Sequence, residues 1–353
     1  MRLGIDTLQL VVRDFSGIEN YISNVLPEIR RLSKSDELIE FSRPLILNPS
    51  FSRQLVLPFI MNNRRLDLVH FPDHILPLWP IRAKTVITVH DLAFVKYPQF
   101  YNFTKRWYKN LLAPRSINGA DKIIAVSQAT KQDLIEQYGI PEEKVKVIYN
   151  GIADKFKPLD LGEAEKERRK RKYGFKRFLL FVGTIEPRKN LKGLIEAFSE
   201  ISKKEPDLGL VICGKLGWLT GDILNAMSRH PNILYLKYVS DEDLVELYNL
   251  AELFIYPSFY EGFGFPPLEA MACGTPVVAS RASSLPEVLG EAAWFIDPQN
   301  PRQIAQAIEK LLNDLGLCQN MIEKGSKQAR TFTWKKTAEA TWKLYQETIK
   351  HGK

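Results

Sequence analysis

Short apolar runs recur along the chain, separated by longer stretches in which apolar residues return every third or fourth position. The runs Leu3–Ile5, Leu68–Phe71, Thr85–Thr88, Lys122–Val126 and Lys146–Ile148 read as strands, as do Phe178–Val182, Leu208–Cys213, Ile233–Leu236, Leu253–Tyr256, Pro276–Ala279 and Ala293–Ile296. Helical spacing lies between them, over Ile18–Leu32, Gln128–Tyr138, Leu191–Lys203, Asp241–Leu250 and Pro301–Leu312. Strands alternating with helices predict an α/β protein built from parallel sheets. The pattern runs once to about residue 150 and starts again near residue 178, which predicts two doubly wound domains with a cleft between them.

Length agrees, because 353 residues exceed one ordinary core. The expected division is a first domain over 1–160, a second over 161–333 and a final helix over 334–353 that packs back on the first. That helix places Ala338, Thr341, Trp342 and Tyr345 on one face. The charged stretch 161–173 reads as a solvated linker helix, acids first and bases last, as the helix dipole favours. No short-period repeat is visible.

The net charge of +8 is spread along the chain: residues 1–150 hold 20 basic and 15 acidic residues. This is too mild for a dedicated nucleic-acid binder and suits an anionic small molecule or membrane surface. Cys213, Cys273 and Cys318 are far apart and odd in number, which leaves neither a disulfide framework nor a C-x-x-C metal site and makes a cytosolic setting the default. No apolar run reaches the ~18 residues of a membrane span, and the N-terminus has no signal-peptide pattern.

Candidate chemistry concentrates in residues 256–279, Y-P-S-F-Y-E-G-F-G-F-P-P-L-E-A-M-A-C-G-T-P-V-V-A. Glu261 opens a loop in which Gly262 and Gly264 let backbone approach a ligand. Pro266 and Pro267 start a helix at no cost, since the first helical N–H groups have no intrahelical partner. Those N–H groups favour phosphate, whereas Glu269 in the first turn would repel it and is better suited to accept from hydroxyls. An anion site flanked by two acceptors suits a nucleotide-sugar; an ordinary strand–loop–helix unit is the plain alternative. Arg188 and Lys189 follow another strand and form an adjacent cationic pair able to neutralise charge on a departing diphosphate.

These blocks resemble, in order, a retaining glycosyltransferase of the GT-B fold, from the large family 4. The matching residues are V-G-T-I-E-P-R-K-N-L-K-G-L-I-E-A-F at 182–198, V-I-C-G-K at 211–215, Y-V-S-D-E-D-L at 238–244, the Glu261–Glu269 segment and G-T-P-V-V-A-S-R-A-S-S-L-P-E-V at 274–288. In the first half, I-A-V-S-Q-A-T-K-Q-D-L at 124–134 and V-I-Y-N-G-I at 147–152 also match. The resemblance implies two Rossmann-like domains facing across a cleft, with the C-terminal helix returning to the first.

The resemblance further implies site roles. Arg188 and Lys189 become the diphosphate clamp, Glu261 meets the donor sugar and Glu269 the ribose. Gly262, Phe263, Gly264, Phe265 and Leu268 line the donor, and the backbone of Val239 meets the base. Gly17, in S-G-I-E-N-Y at 16–21, approaches the donor phosphates, with Ser16 where many members have glycine. His70 reaches the transferring sugar near its anomeric carbon; His90 and Asp91 lie on the acceptor side. Where some members carry Arg after the glycine preceding the clamp, Thr184 follows Gly183.

The implied reaction is retaining transfer of a hexose, without a metal or other cofactor, to a hydroxyl of a glycan or lipid-linked glycan. The G-T-I-E-P-R-K-N and H-D-L forms look most like bacterial polysaccharide mannosyltransferases, so GDP-mannose is the favoured donor and UDP-glucose its rival. The location implied is cytoplasmic, with peripheral membrane contact through Tyr101–Arg115, where Lys105, Arg106 and Lys109 mix with Trp107 and Tyr108; an ordinary surface helix is the alternative. No nucleic-acid partner is expected. The competing classes are a nucleotide-sugar epimerase and a non-catalytic nucleotide-sugar-binding protein. A nicotinamide dehydrogenase would want G-x-G-x-x-G after a first strand, and neither Leu3–Gly17 nor Phe178–Asn190 supplies it.

Overall fold

The computed structural model of the chain describes residues 1–8, 10, 17–34, 36–42, 52–101 and 103–350, with residues 103–110 described by backbone alone. Ser16 and the side chains of Lys105, Arg106, Trp107, Tyr108 and Lys109 therefore lie outside the described residues. There are two compact units, Met1–Lys96 with Phe103–Ala153 and Phe332–Lys353, and Tyr97–Asn102 with Asp154–Thr331. The chain thus changes unit at 153 and 331 rather than at 160 and 333. The reason is local: the Ile152 N–H donates to the Phe332 carbonyl at 3.1 Å, and a Cβ on Gly151 would lie 2.1 Å from the Trp334 nitrogen. Both crossings are tied together inside the first unit. Tyr97–Asn102 belongs to the second unit because Phe100 stacks on Phe259 and Tyr97 lies against Tyr260, with ring centroids 5.4 and 5.8 Å apart.

The first unit holds a parallel sheet of β1 (Arg2–Asp6), β2 (Glu37–Phe41), β3 (Leu68–Phe71), β4 (Lys84–Val89), β5 (Lys122–Ala125) and β6 (Val145–Val147), in the order β2-β1-β3-β4-β5-β6. Strand β2 was not expected from the sequence. It is an edge strand, its E-L-I-E-F residues half-exposed except Phe41, so it lacks the continuous apolar run of a strand buried on both faces. The helix Gly17–Leu32 packs against the C-terminal helix Trp334–Lys350. The latter buries Ala338, Thr341, Trp342 and Tyr345, as its spacing predicts.

The second unit repeats the plan with β7 (Arg177–Val182), β8 (Leu208–Cys213), β9 (Ile233–Leu236), β10 (Leu253–Tyr256), β11 (Val277–Ser280) and β12 (Ala293–Ile296), all parallel, in the order β12-β11-β10-β7-β8-β9. The central strands β7, β8, β10 and β11 are apolar and buried because helices cover both faces, whereas the edge strands β9 and β12 are mostly half-buried. In each sheet the winding direction reverses once, between β1 and β3 and between β7 and β10. Ligands of open parallel sheets bind outside the carboxyl ends of the strands at such reversals.

Candidate active site

The reversal in the second unit brings together two segments far apart in sequence. After β7 the chain turns at Gly183 and makes a short 3₁₀ turn, Pro187–Lys189. After β10 it enters the loop carrying Glu261. The Lys189 Nζ donates to Glu261 Oε1 at 2.6 Å and to the Tyr256 hydroxyl at 2.7 Å. The Arg188 guanidinium donates to Glu261 Oε2 at 3.1 Å, to Glu186 Oε1 at 2.7 Å and to the Tyr260 carbonyl. Two cations and two carboxylates thus form one buried cluster. Burial alone would raise the Glu261 carboxyl, but Arg188 and Lys189 hold it at about 2. Burial lowers the Lys189 ammonium, and Glu261 offsets part of that. The sequence blocks contain Glu186 but assign it nothing; the structure makes it the second carboxylate of the buried cluster.

The loop after Glu261 is held from a third segment. The Glu261 N–H donates to Ser283 Oγ at 2.7 Å, and Ser284 Oγ donates to the Glu261 and Phe263 carbonyls at 2.9 and 3.0 Å. Ser283 takes φ +48°, a left-handed conformation that non-glycine residues adopt only where surrounding structure imposes it. Gly264 has φ +99°, and a Cβ there would meet Leu285 Cδ2 at 2.6 Å. It leads into the helix Phe265–Ala272, in which Leu268 and Glu269 are buried. Gly262 and Phe263 are buried and Phe265 half-buried. Gly183 and Gly214 bring the ends of β7 and β8 so close that a Cβ on Gly214 would lie 1.9 Å from the Gly183 carbonyl oxygen.

Glu269 lies apart from the cationic cluster and accepts from the Tyr248 hydroxyl at 2.9 Å. Burial raises its carboxyl to about 7, with the Tyr248 bond and Lys155 pulling the other way and Asp241 adding to the rise. Asp241 opens the helix Asp241–Leu250, two residues beyond the half-buried Val239. Two acids eight positions apart therefore have opposite electrostatics. Glu261 is a fixed anion; Glu269 is a carboxyl poised to gain or lose its proton near neutrality.

In the first unit the structure separates the two histidines expected to act. His70, on β3, engages both ring nitrogens inside the core: Nε2 bonds Thr88 Oγ1 at 2.8 Å and Nδ1 bonds the Tyr345 hydroxyl at 2.6 Å. Burial, helped by the field of His90, pushes it down to about 3, so it is neutral. The sugar-facing role expected of His70 is not met by this geometry. His90 is half-buried, is also shifted down by burial, and donates from Nε2 to the Pro72 carbonyl at 3.0 Å. That tautomer leaves Nδ1 an acceptor, with no partner among the described residues. Asp91 accepts from the Ala93 N–H at 3.1 Å, at the start of the short helix Ala93–Lys96. Gly17 is exposed at the start of its helix.

A further cluster at the β1/β3 reversal was not anticipated. Arg53 Nε lies 2.7 Å from Asp6 Oδ2, and its Nη1 lies 3.3 Å from Asp73 Oδ2. Asp73 Oδ1 faces His74 Nδ1 at 2.9 Å. All four residues are buried, and Arg53 Nη2 and His74 Nε2 have no hydrogen-bond partner among the described residues. The sequence signal was the D-H pair after β3, but the third partner, Arg53, is separated from it by a helix and a strand.

The sequence profile of the glycosyl transferases group 1 matches residues 163–328, and that of glycosyltransferase family 4 matches residues 20–156. The O-antigen chain mannosyltransferase B of Escherichia coli is 32% identical over 286 residues, covering 79% of this chain and 74% of that protein. The serotype-specific mannosyltransferase WbdA of the same species is 32% identical over 277 residues, and the match spans about a third of its length: 74% of this chain, 33% of WbdA. Among solved structures, Anabaena HepE in complex with UDP-glucose superposes with a TM-score of 0.75 at 18% identity, over 99% of this chain and 100% of that one. That likeness concerns the fold: two α/β units of the GT-B kind.

Proposed function

The chain belongs to the group 1, family 4 glycosyltransferases, and from that premise we propose that it moves mannose from GDP-mannose to a hydroxyl of a lipid-linked glycan, retaining anomeric configuration. The observation that carries this reading is the buried cluster of Arg188, Lys189, Glu186 and Glu261 at the β7/β10 reversal. The mannosyltransferase names of its relatives support the choice of sugar.

In this reading Arg188 and Lys189 take the charge that builds on the β-phosphate as the bond to the anomeric carbon breaks, the work a divalent ion does elsewhere. Their charge is pre-placed and desolvated, so little reorganisation is needed at that moment. Glu261, kept ionised by the same cations, accepts from sugar hydroxyls and fixes the ring. Glu269 accepts from the ribose, with Val239 near the base. The acceptor oxygen bonds the anomeric carbon on the face the diphosphate leaves, and its proton passes to the departing phosphate oxygen. The first unit supplies the acceptor groups, with His90 Nδ1 as the available ring nitrogen. Work at the cytoplasmic face of a membrane follows from a lipid-borne acceptor.

The test is a thermal-shift panel with GDP, UDP, ADP and dTDP and their common sugar conjugates, because a ligand selective for the native state raises its melting temperature. Selective stabilisation by GDP and GDP-mannose is expected. Selective response to UDP-glucose would replace the donor and keep the mechanism; silence throughout would sink the donor site.

A further inference from the structure

The segment Tyr97–Asn102 is the one piece of the second unit that comes from the first half of the sequence. Residues 97–101 read Y-P-Q-F-Y, an aromatic cluster on a short turn. Pro98 presets the backbone for a 3₁₀ turn over Pro98–Phe100. The Phe100 N–H donates to the Tyr97 carbonyl at 3.0 Å, and the Tyr101 N–H donates to the Pro98 carbonyl at 3.2 Å. Side chains three apart eclipse in such a turn, and the Tyr97 and Phe100 rings accordingly lie nearly parallel, 6° apart with centroids at 5.7 Å. Each ring then meets one from the second half of the chain. Phe100 stacks on Phe259, and Tyr97 lies against Tyr260. Tyr101 faces Trp218 with centroids 5.3 Å apart, and the Trp218 indole N–H donates to the Phe100 carbonyl.

The partners of these rings are the neighbours of the cationic cluster. Phe259 and Tyr260 lie in the loop after β10, and Trp218 lies in the loop after β8; β10 and β8 flank β7, whose following turn carries Arg188 and Lys189. The Phe259 N–H donates to the Arg188 carbonyl at 2.9 Å, and the Tyr260 carbonyl accepts from the Arg188 guanidinium. Glu261 is the next residue. On the other side the Ile185 N–H donates to the Lys215 carbonyl at 2.8 Å, and the Gly217 N–H donates to the Ile185 carbonyl at 2.9 Å. A Cβ on Gly217 would lie 2.8 Å from that carbonyl oxygen, so the two backbones run in close contact up to Trp218. The aromatic segment therefore grips both loops that grip the turn of Arg188 and Lys189. Loops are ordinarily the most mobile parts of a fold, yet a clamp for developing charge works only if it is held in place beforehand. Ser283 and Ser284 hold the Glu261 loop from one segment, and the Tyr97 and Phe100 rings hold it from another.

We propose that Tyr97–Tyr101 is an aromatic strap that positions the Arg188–Glu261 cluster for transfer, with Phe100 as the positioning residue at its centre. This role rests on the reading of that cluster as the donor clamp. The strap adds no charge to the cluster, so its loss moves the clamp without discharging it. A nucleoside diphosphate, which needs only the two cations, still binds. The charge that develops as the sugar leaves is met less well, because a displacement of about 1 Å in such a site costs up to ~100-fold in rate.

The test uses the full chain and three readouts: GDP affinity by calorimetry, GDP release from GDP-mannose with a lipid-linked glycan extract as acceptor, and amide hydrogen exchange. In Phe100→Ala, kcat per GDP-binding site should fall at least about tenfold, with GDP affinity and donor KM within about threefold of wild type. The Phe259 and Glu261 amides should exchange about tenfold or more faster, while Phe254 and Ile255 in β10 stay as protected as in wild type. Phe100→Tyr, which keeps the ring, should restore both rate and protection. Trp218→Phe keeps a ring against Tyr101 but loses the bond to the Phe100 carbonyl, so it should fall between; it carries the test if Phe100→Ala does not fold. An unchanged or raised kcat in Phe100→Ala overturns the strap. So does a loss of GDP affinity equal to the loss of kcat, or exchange that rises equally in the loop and in β10, since each describes a general structural role. Wild type that neither binds GDP nor turns over GDP-mannose counts against the donor reading, and exchange alone then decides: unchanged protection at Phe259 and Glu261 sinks the strap as well, and lost protection keeps its hold on the loop.

Discussion

Lys189 and Glu261 form a buried ion pair at 2.6 Å, and neither is paired only with the other. Arg188 shares Glu261, Glu186 shares Arg188, and the Tyr256 hydroxyl accepts from Lys189. In such a network a single deletion strands a buried charge, which costs about 3–5 kcal/mol, more than the pair itself contributes. Lys189→Ala and Glu261→Gln should therefore differ. Lys189→Ala leaves Glu261 to Arg188 alone, destabilises by about 3 kcal/mol and lowers kcat by at least ~100-fold. Glu261→Gln keeps the shape, leaves two cations that still bind nucleoside diphosphate, and loses turnover. Urea melts, GDP titrations and initial rates on both variants separate the roles. A Glu261→Gln protein with wild-type kcat would remove Glu261 from catalysis.

The same pair fixes an acid limit. Glu261 sits at about 2 when folded against an ordinary carboxyl value of 4.5. A depressed carboxyl contributes stability above the unfolded value and loses it as pH falls through the folded one. The window is pH 4.5 down to about 2, and the contribution is at most ~3 kcal/mol. Across that window wild type should lose more stability than Glu261→Gln. Parallel pH profiles of the two proteins would show that Glu261 is not held as a buried anion.

Glu269 has the opposite sign. Its folded value of about 7 lies above the ordinary 4.5. A raised carboxyl gives stability that is full below 4.5 and is lost as pH rises through 7. Glu269→Gln should thus match wild type near pH 4.5 and exceed it by up to ~3 kcal/mol at pH 8. The compensating loss is in binding. An ionised carboxylate accepts from ribose hydroxyls more strongly than a neutral amide, so GDP affinity should rise severalfold from pH 6 to 8 in wild type and stay flat in the variant. Calorimetric titration at several pH values checks both slopes.

What the sequence shows and what it hides divides along chain distance. Strands buried on both faces are continuous apolar runs and can be read directly; the half-exposed edge strand Glu37–Phe41 cannot. Arg188, Lys189, Glu261 and Glu269 are legible because each lies in a compact local pattern. Ser283 and Ser284, which hold the Glu261 loop from 22 and 23 residues away, are present in the quoted blocks but carry no local sign of that task. His70 and His90 occupy the same kind of place, a strand end, and look equivalent on paper. What separates them is Tyr345, 275 residues from His70 and bonded to its Nδ1.

That separation predicts different failures. His70→Ala removes the partner of two buried hydroxyls, Thr88 and Tyr345, and opens a cavity. A loss of about 2–4 kcal/mol is expected, with turnover per folded molecule largely kept. His90→Ala removes the Pro72 carbonyl bond and an edge contact with the Tyr21 ring, so stability should change by about 1–2 kcal/mol while kcat falls about tenfold or more. Chemical denaturation alongside active-site-normalised rates distinguishes them. The reverse pattern would return the sugar-facing role to His70.

The Arg53–Asp73–His74 chain lies at the β1/β3 reversal of the first unit, the place equivalent to the Lys189–Glu261 cluster in the second. Among the described residues it is incomplete as a structural network: Arg53 Nη2 and His74 Nε2 are buried with no partner among them, each a cost of about 1–3 kcal/mol that an apolar core would avoid. A hydroxyl satisfies a donor and an acceptor at once, and that is the pair these atoms offer in the tautomer that donates from His74 Nδ1 to Asp73. If acceptor hydroxyls use them, His74→Ala should raise the acceptor KM about tenfold or more, leave donor affinity unchanged and cost little stability. Asp73→Asn should cost about 1–2 kcal/mol, because it leaves Arg53 to Asp6 alone and weakens the hold on the ring of His74. Initial rates with acceptor varied at saturating donor read the first effect, and urea melts read the second. An unchanged acceptor KM in His74→Ala, together with a gain in stability, would make the cluster a structural strain and assign the acceptor to other groups of the first unit.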